Sequence, residues 1–473
     1  VTIYSFTFRK DHLDQIESAL LRDDGCEHAA YVLCNKAFLV IDPWARQAHE
    51  KFLSAKVIPV PDDDVIESGP DRVTWRTRSF AHILKEAEAN NQTVAIIHNH
   101  PMGLIGFSAQ DDANEPDLLQ MAINRNGEGT RILSFVLTGD RQLAGRVWLH
   151  PTKNGHQPIS MIRVIGSEIV LHYPDRGHRT PLDAFHRQAL AFGEALNQDL
   201  RKLRIGIVGC GGTGSAVAMV LARLGVGQLA LFDNDIVDQT NLNRLHGARQ
   251  ADADAMCPKV DVVAQSITEM GLGVRVVPIN AWGGDPKCRD ALRACDVVFG
   301  CTDDHDGRLF LNRLAYYYLI PVIDLGLAID VGDQAPPVVK ALDGRVTVLG
   351  PHHTCLLCRG VIDPEIARSE SMKRTNPAEY EKRKTESYVV GEGNPSPAVV
   401  TFTTEVACMA VNEFIHRLQG FRGPGGAASN RVRKFHIDID RRPSHKPGSA
   451  CMICGEETIW GQRDIEPFMG RIN

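Results

Sequence analysis

Apolar residues fall along the first third of this chain in short extended runs, with amphipathic stretches between them. The start, Val1–Lys10, alternates as a half-buried strand does, and Ala29–Leu33, Val94–Ile97 and Ile132–Leu137 predict further strands. Stretches near 80–90 and 115–124 carry helical spacing instead. Residues 173–181 then bring Pro, Gly and charge together, which predicts a linker over 171–181. From residue 182 the rhythm becomes helix, strand, glycine turn, helix, strand. That rhythm predicts a mostly parallel α/β sheet. The expected organisation is two α/β domains, 1–170 and 182–473. The run 421–429 is glycine-rich and predicts a flexible loop, and no fixed-period repeat interrupts the pattern.

Composition narrows the function classes. The chain has 473 residues, 43% of them hydrophobic and 23% charged, with a formal net charge of −6. So mild an acidity argues against nucleic acid as the main partner. No apolar run is long enough for a membrane span, and the alternating start lacks the basic and apolar regions of a secretion signal. A cytoplasmic location is expected. The 12 cysteines are scattered, but Cys355/Cys358 and Cys451/Cys454 form two Cys-x-x-Cys pairs. In a reducing compartment such pairs predict one closed tetrahedral zinc site of four thiolates.

A second donor set sits where the strand Val94–Ile97 runs into His98-Asn99-His100-Pro101. Alternate residues of a strand point the same way, so two imidazoles can face one metal. Ser108 and Asp111 open a predicted helix eight residues later and share one of its faces, adding a carboxylate with a hydroxyl beside it. Two His and one Asp leave a tetrahedral zinc with a position for water, whose pKa then falls to about 7. Ser108 and Asp111 also match a capping box, which marks a helix start without any catalytic meaning.

This spacing, with Glu27 upstream, resembles the JAMM/MPN metallopeptidases, which cleave after the C-terminal glycines of ubiquitin and ubiquitin-like proteins. The resemblance implies that His98, His100 and Asp111 bind zinc, that Glu27 is the general base and that Ser108 stabilises the oxyanion.

In the C-terminal two thirds, a strand at Arg204–Val208 ends in Gly209-Cys210-Gly211-Gly212-Thr213-Gly214 ahead of a predicted helix. Glycines there let backbone amides approach phosphate oxygens. A second strand delivers Asp233, at the distance where a ribose hydroxyl is bound. Dehydrogenases share those features. Asp235, Asn241, Arg244, Lys259 and Asp303 follow, and charges of this kind suit phosphoryl or adenylyl chemistry.

The set resembles the adenylating domain of the ThiF/MoeB and ubiquitin-activating superfamily. That resemblance implies ATP and magnesium, with Asp233 on the ribose, Arg244 and Lys259 on the phosphates and Asp303 on the magnesium. It makes Asn241 part of the motif and the zinc tetrad structural. It also matches Arg187 to an arginine that reaches into a partner subunit's site, and so implies a homodimer.

Conjugating relatives carry a catalytic cysteine after the first zinc pair, whereas residues 359–407 here contain none. Cys408 falls in a helix predicted over 397–418, where packing is its expected role. Ser387 and Ser396 are candidate acyl acceptors, although Ser396, ahead of Pro397, also suits a helix cap.

The two resemblances together imply an enzyme that adenylates the C-terminus of a ubiquitin-like β-grasp protein and cleaves at that same terminus. A conjugating-enzyme partner is a further implication, and by analogy so is a place in a bacterial conjugation system used in defence. Two alternatives stay open. One is sulfur-carrier chemistry ending in a thiocarboxylate; the other makes the zinc domain a non-catalytic carrier-binding module.

Overall fold

The computed structural model describes residues 2–103, 105–174, 182–332, 334, 336–385, 397–448, 450–462, 464–466 and 468–470. The chain divides into two compact units. The first comprises Val1–Ile41, Gln47–His178 and Trp460–Asp464; the second comprises Asp42–Arg46, Arg179–Ile459 and Ile465–Asn473. Most of the expected linker, with Ser387 and Ser396, lies outside the described residues.

The first unit is built from strands β1 (Ile3–Arg9), β2 (Ala29–Leu39), β3 (His49–Pro59), β4 (Val65–Gly69), β5 (Arg72–Trp75), β6 (Thr93–His100), β7 (Ile132–Thr138), β8 (Leu143–Trp148), β9 (His156–Pro158), β10 (Met161–Ile165) and β11 (Ile169–His172). Its helices are α1 (Lys10–Leu20), α2 (Thr77–Ala89) and α3 (Ala109–Asn126). Nine strands form one mixed sheet in the order β11-β10-β1-β3-β2-β6-β7-β8-β9, and β4 pairs with β5 in a separate hairpin.

Both faces of this sheet are covered, which is why residues Val94–Ile97 of β6 form an unbroken apolar run. Ala95 and Ile97 join Phe6, Phe8 and the α1 residues Leu13, Ile16 and Leu20 in one core. Val94 and Ile96 join Tyr31, Leu33, the α2 residues Phe80, Ile83 and Leu84, and Leu119 of α3 in the other. The buried residues of α2 recur at helical spacing, Phe80, Ile83, Leu84 and Ala87. Burying each of the three larger ones contributes about 1.5–3 kcal/mol. Period-2 alternation then sets the site: His98 and His100 continue the parity of Val94 and Ile96, toward the face that α3 covers.

The second unit carries β12 (Arg204–Val208), β13 (Gln228–Asp233), β14 (Arg275–Asn280), β15 (Val297–Gly300), β16 (Val322–Val331), β17 (Val339–Leu349), β18 (Asn430–Lys434) and β19 (Ile439–Arg441). Its helices are α4 (His186–Phe192), α5 (Glu194–Lys202), α6 (Gly212–Leu224), α7 (Gln250–Asp254), α8 (Lys259–Glu269), α9 (Arg289–Ala294), α10 (His305–Tyr317), α11 (Pro364–Thr375), α12 (Pro377–Thr385) and α13 (Val400–Gln419). The sheet order is β14-β13-β12-β15-β16-β17-β18-β19. The strands from β14 to β16 run parallel, and β17 to β19 continue antiparallel.

The chain moves outward from β12 to β14 on one side, then returns to β15 and β16 on the other. The carboxyl ends of β12 and β15 therefore flank the crevice where such sheets bind ligands. Helix α13 begins at Val400 with Val399 in the cap position, not at Pro397, so a cap at Ser396 is not what starts it. Cys408 on this helix is half-buried, and burial raises its thiol pKa. Among the described residues no helix is long and apolar enough to cross a membrane.

Candidate functional sites

In the first unit, His98 and His100 bring their Nε2 atoms to 3.1 Å. One carboxylate flanks each ring. Asp111 Oδ1 stands 3.5 Å from His98 Nε2, and Glu27 Oε1 stands 3.8 Å from His100 Nε2. Donors on a tetrahedral zinc with bonds of about 2.0–2.1 Å lie roughly 3.3 Å apart. The two imidazoles have nearly that spacing and Asp111 has it to His98, while the three groups whose ligand atoms all lie within 4.8 Å of one another are Glu27, His98 and His100. Burial is the main force lowering the His98 pKa to about 4, which leaves its ring neutral and its lone pair available. Burial, with the Asp111 and Asp71 carboxylates adding to it, raises Glu27 to about 7.

Ser108 forms the expected capping box and sets its hydroxyl beside the Asp111 carboxylate. Its hydroxyl accepts the Asp111 N–H at 3.2 Å as the N-cap of α3, while its own N–H and hydroxyl donate to Asp111 Oδ2 at 2.7 and 2.8 Å. The capping box and the carboxylate beside His98 are therefore one arrangement. Asp111 uses Oδ2 for the cap and turns Oδ1 to the imidazole.

Sequence alone did not reveal Asn99. Its side chain accepts the His28 N–H at 2.6 Å and donates to Cys26 O at 3.2 Å, so it holds the residues on both sides of Glu27. The β4–β5 hairpin grips the same point, with Gly69 O accepting the Glu27 N–H at 2.7 Å and the Ser68 hydroxyl donating to Glu27 O at 2.8 Å. A buried Asn between two histidines on a central strand was the available signal.

In the second unit, Cys355, Cys358, Cys451 and Cys454 place all four sulfurs within 4.8 Å of one another. Three of the sulfur pairs are 3.7 Å apart. A tetrahedral zinc with Zn–S of about 2.3 Å requires roughly 3.8 Å, so this tetrad fits a closed site. The Gly448 N–H donates to Cys358 Sγ at 3.3 Å.

The crevice at the carboxyl ends of β12 and β15 is a cleft of 650 Å³. Gly209, Gly211, Gly212, Asp233, Asp235, Arg244, Lys259 and Asp303 all line it. Gly209 has φ +90°, and a Cβ there would stand 2.7 Å from the Cys301 backbone. The Asp233 carboxylate is fixed by the N–H groups of Cys210 at 2.6 Å and Asp235 at 2.8 Å, and burial raises its pKa. Lys259 donates to Asp235 Oδ2 at 2.7 Å, and the Arg244 stem lies over Gly212.

Three expected residues do not line the cleft. Gly214 packs against Gly209, whose carbonyl oxygen would stand 1.7 Å from any Cβ at 214. Asn241 is buried and accepts the Asp238 N–H at 3.3 Å, closing a turn. Arg187 is exposed on α4. Among the lining residues that escaped the sequence are the polar or aromatic Trp282, Arg308, Glu370, Lys373 and Arg374. None belongs to a spaced motif.

The model of the ThiF family matches residues 185–451, more than half of the chain. The chain belongs to the ThiF family. Residues 9–148 match the model for prokaryotic homologs of the JAB domain, so a JAB domain precedes the ThiF domain.

The ThiF domain is similar to curated relatives. The SAMP-activating enzyme E1 of Haloferax volcanii is 26% identical over 181 residues, covering 38% of this chain and 62% of that protein. The molybdopterin-synthase adenylyltransferase of Escherichia coli is 34% identical over 137 residues, covering 28% and 53%. The chain thus spans about half to three fifths of the length of these relatives. Among solved structures, E. coli MccB with ATP has 16% identity and a TM-score of 0.43, covering 60% of this chain and 77% of that one.

Proposed function

We propose that the ThiF domain adenylates the C-terminal carboxylate of a ubiquitin-like β-grasp carrier protein, using ATP and magnesium, and that the JAB domain cleaves at that same terminus. One observation carries the first half. The glycine turn, Asp233, the cations Arg244 and Lys259, and Asp303 share a single cleft at the switch point of the sheet.

In the proposed reaction a carboxylate oxygen of the carrier attacks the α-phosphorus of ATP. The bond from that phosphorus to the bridging oxygen breaks, pyrophosphate leaves, and the acyl-adenylate forms. Glycine-turn amides and the two cations offset the charge that grows on the phosphates. Asp233 holds the ribose, Asp303 takes the magnesium, and Arg187 serves the cleft of a second copy.

For the JAB domain, Glu27 accepts a proton from the attacking water. The Ser108 hydroxyl turns from Asp111 to donate to the carbonyl oxygen that becomes the oxyanion. His98, His100 and Asp111 would hold a zinc, whose chemistry would be to lower the pKa of that water.

The absence of cysteine from residues 359–407 bears on what happens after adenylation. It argues against a cysteine acceptor in that segment. A sulfur donor is then a second reading beside transfer to a conjugating partner, and Ser387 and Ser396 remain candidates within the chain.

The test is ATP–pyrophosphate exchange by the full chain with a β-grasp carrier ending in Gly-Gly, and with the same carrier lacking its last glycine. Exchange that needs the glycine is expected. Exchange with neither carrier, while NADH binds the cleft, sinks the proposal. Glu27→Gln separates a peptidase from a carrier-binding module, because only the peptidase loses turnover while zinc stays bound.

A further inference from the structure

Helix α11 begins six residues after Cys358, outside every motif of the nucleotide site, yet one of its faces is fixed to the turn that carries Asp303. Asp363, at its N-cap, donates its N–H to His305 Nδ1 at 2.9 Å. Glu370 accepts the Asp306 N–H at 2.8 Å. One turn further on, Arg374 pairs with the Asp306 carboxylate, which is only 3% exposed, and lies 3.9 Å from Asp304 Oδ2. Glu370 and Arg374, at i and i+4, thus grip the first turn of α10 together.

The guanidinium of Arg374 does more than pair. It lies over the Trp282 ring at 3.5 Å from the centroid. The opposite edge of that ring fits against Gly284, where a Cβ would stand 1.8 Å from it. Trp282 Nε1 donates to Asp304 Oδ2 at 3.3 Å. Asp304 in turn caps α10 by accepting the Gly307 N–H at 3.0 Å and also contacts the Thr302 hydroxyl. Asp303 therefore sits between two residues that are both held, and the outermost anchor of the set is Arg374. Three separate stretches meet there: the loop after β14, the turn after β15, and α11.

We propose that Arg374 is a positioning residue of the nucleotide site, acting through Trp282 and Asp304 to hold the Asp303 turn in place for ATP. The proposal rests on the cleft being a nucleotide site. Its charge is already matched by Asp304 and Asp306, so the residue serves as a clamp and not as another phosphate ligand. The role needs a flat cation that can stack and pair at once, which lysine cannot reproduce.

The test is titration calorimetry of ATP and magnesium into the full chain with no carrier present, followed by separate KM values for ATP and carrier in pyrophosphate exchange. Arg374→Ala is expected to weaken ATP about tenfold, the effect of one charged hydrogen-bonded contact, and to leave the carrier KM within about twofold. Arg374→Lys recovers less than half of that loss in logarithmic terms. Trp282→Phe, which keeps a ring but loses the N–H to Asp304, weakens ATP by a smaller factor.

If wild type binds ATP and all three variants bind it equally well, the clamp is refuted. The same holds if the variants raise only the carrier KM. If wild type itself binds no ATP, the nucleotide assignment of the cleft fails first and the clamp goes with it.

Discussion

The two metal-type donor sets of this chain differ in what surrounds them. The cysteine tetrad joins segments more than ninety residues apart, and its four donors are of one kind at near-tetrahedral spacing. The JAB set gathers two histidines from one strand and an aspartate from the next helix, and then adds Glu27 at 3.8 Å from His100. Four equal donors leave no position for a substrate, and their energy goes into fastening chain to chain. Two histidines with a carboxylate beside each ring would leave a metal held there an open position for a substrate. The comparison predicts that the first set governs folding and the second governs turnover.

The largest effect is expected at the tetrad. Cys451→Ala, or chelation of the zinc, should lower the melting temperature of the full chain by on the order of 10 °C, since structural zinc binding is itself folding energy. Calorimetry with parallel metal analysis checks this, and an unchanged melt would remove the distinction between the two sets.

Glu27→Gln should reduce peptidase turnover by about 10²–10⁴-fold while bound zinc and melting temperature stay as in wild type. His98→Ala should lose the JAB zinc and keep the fold. Turnover surviving in Glu27→Gln would assign the base elsewhere.

Asn99→Ala should cut turnover by about 10–100-fold, the usual penalty for losing a group that orients a metal site. It also leaves the His28 N–H without its acceptor, a destabilisation of about 1–3 kcal/mol that denaturant titration can read. Smallest of all, Cys26→Ser should change stability by less than about 0.5 kcal/mol and leave zinc content alone, because this half-exposed thiol belongs to neither donor set.

What sequence reveals about these sites follows from how far each contact reaches along the chain. His98 and His100 are legible because strand alternation puts them on one side, and Ser108 with Asp111 because a helix start has local rules. The cysteine pairs are legible because metal spacing survives any intervening fold. Asn99 is different: its partners Cys26 and His28 meet it through the antiparallel pairing of β2 with β6, a register no local pattern states. Trp282, Glu370 and Arg374 were silent for the same reason, since they meet only when α11 packs on α10. The helix predicted from Pro397 starts at Val400 instead, because a proline permits a helix start without fixing one.

The glycine turn after β12 holds residues of two kinds. At Gly209 and Gly214 an added methyl group would collide with main-chain atoms, whereas at Gly211 it would meet nothing within 4 Å. A mutational library sorted only for folded protein should therefore reject substitutions at 209 and 214 and tolerate alanine at 211. Sorting the same library for acyl-adenylate formation should add 211 to the rejected positions, separating what the architecture demands from what the chemistry demands.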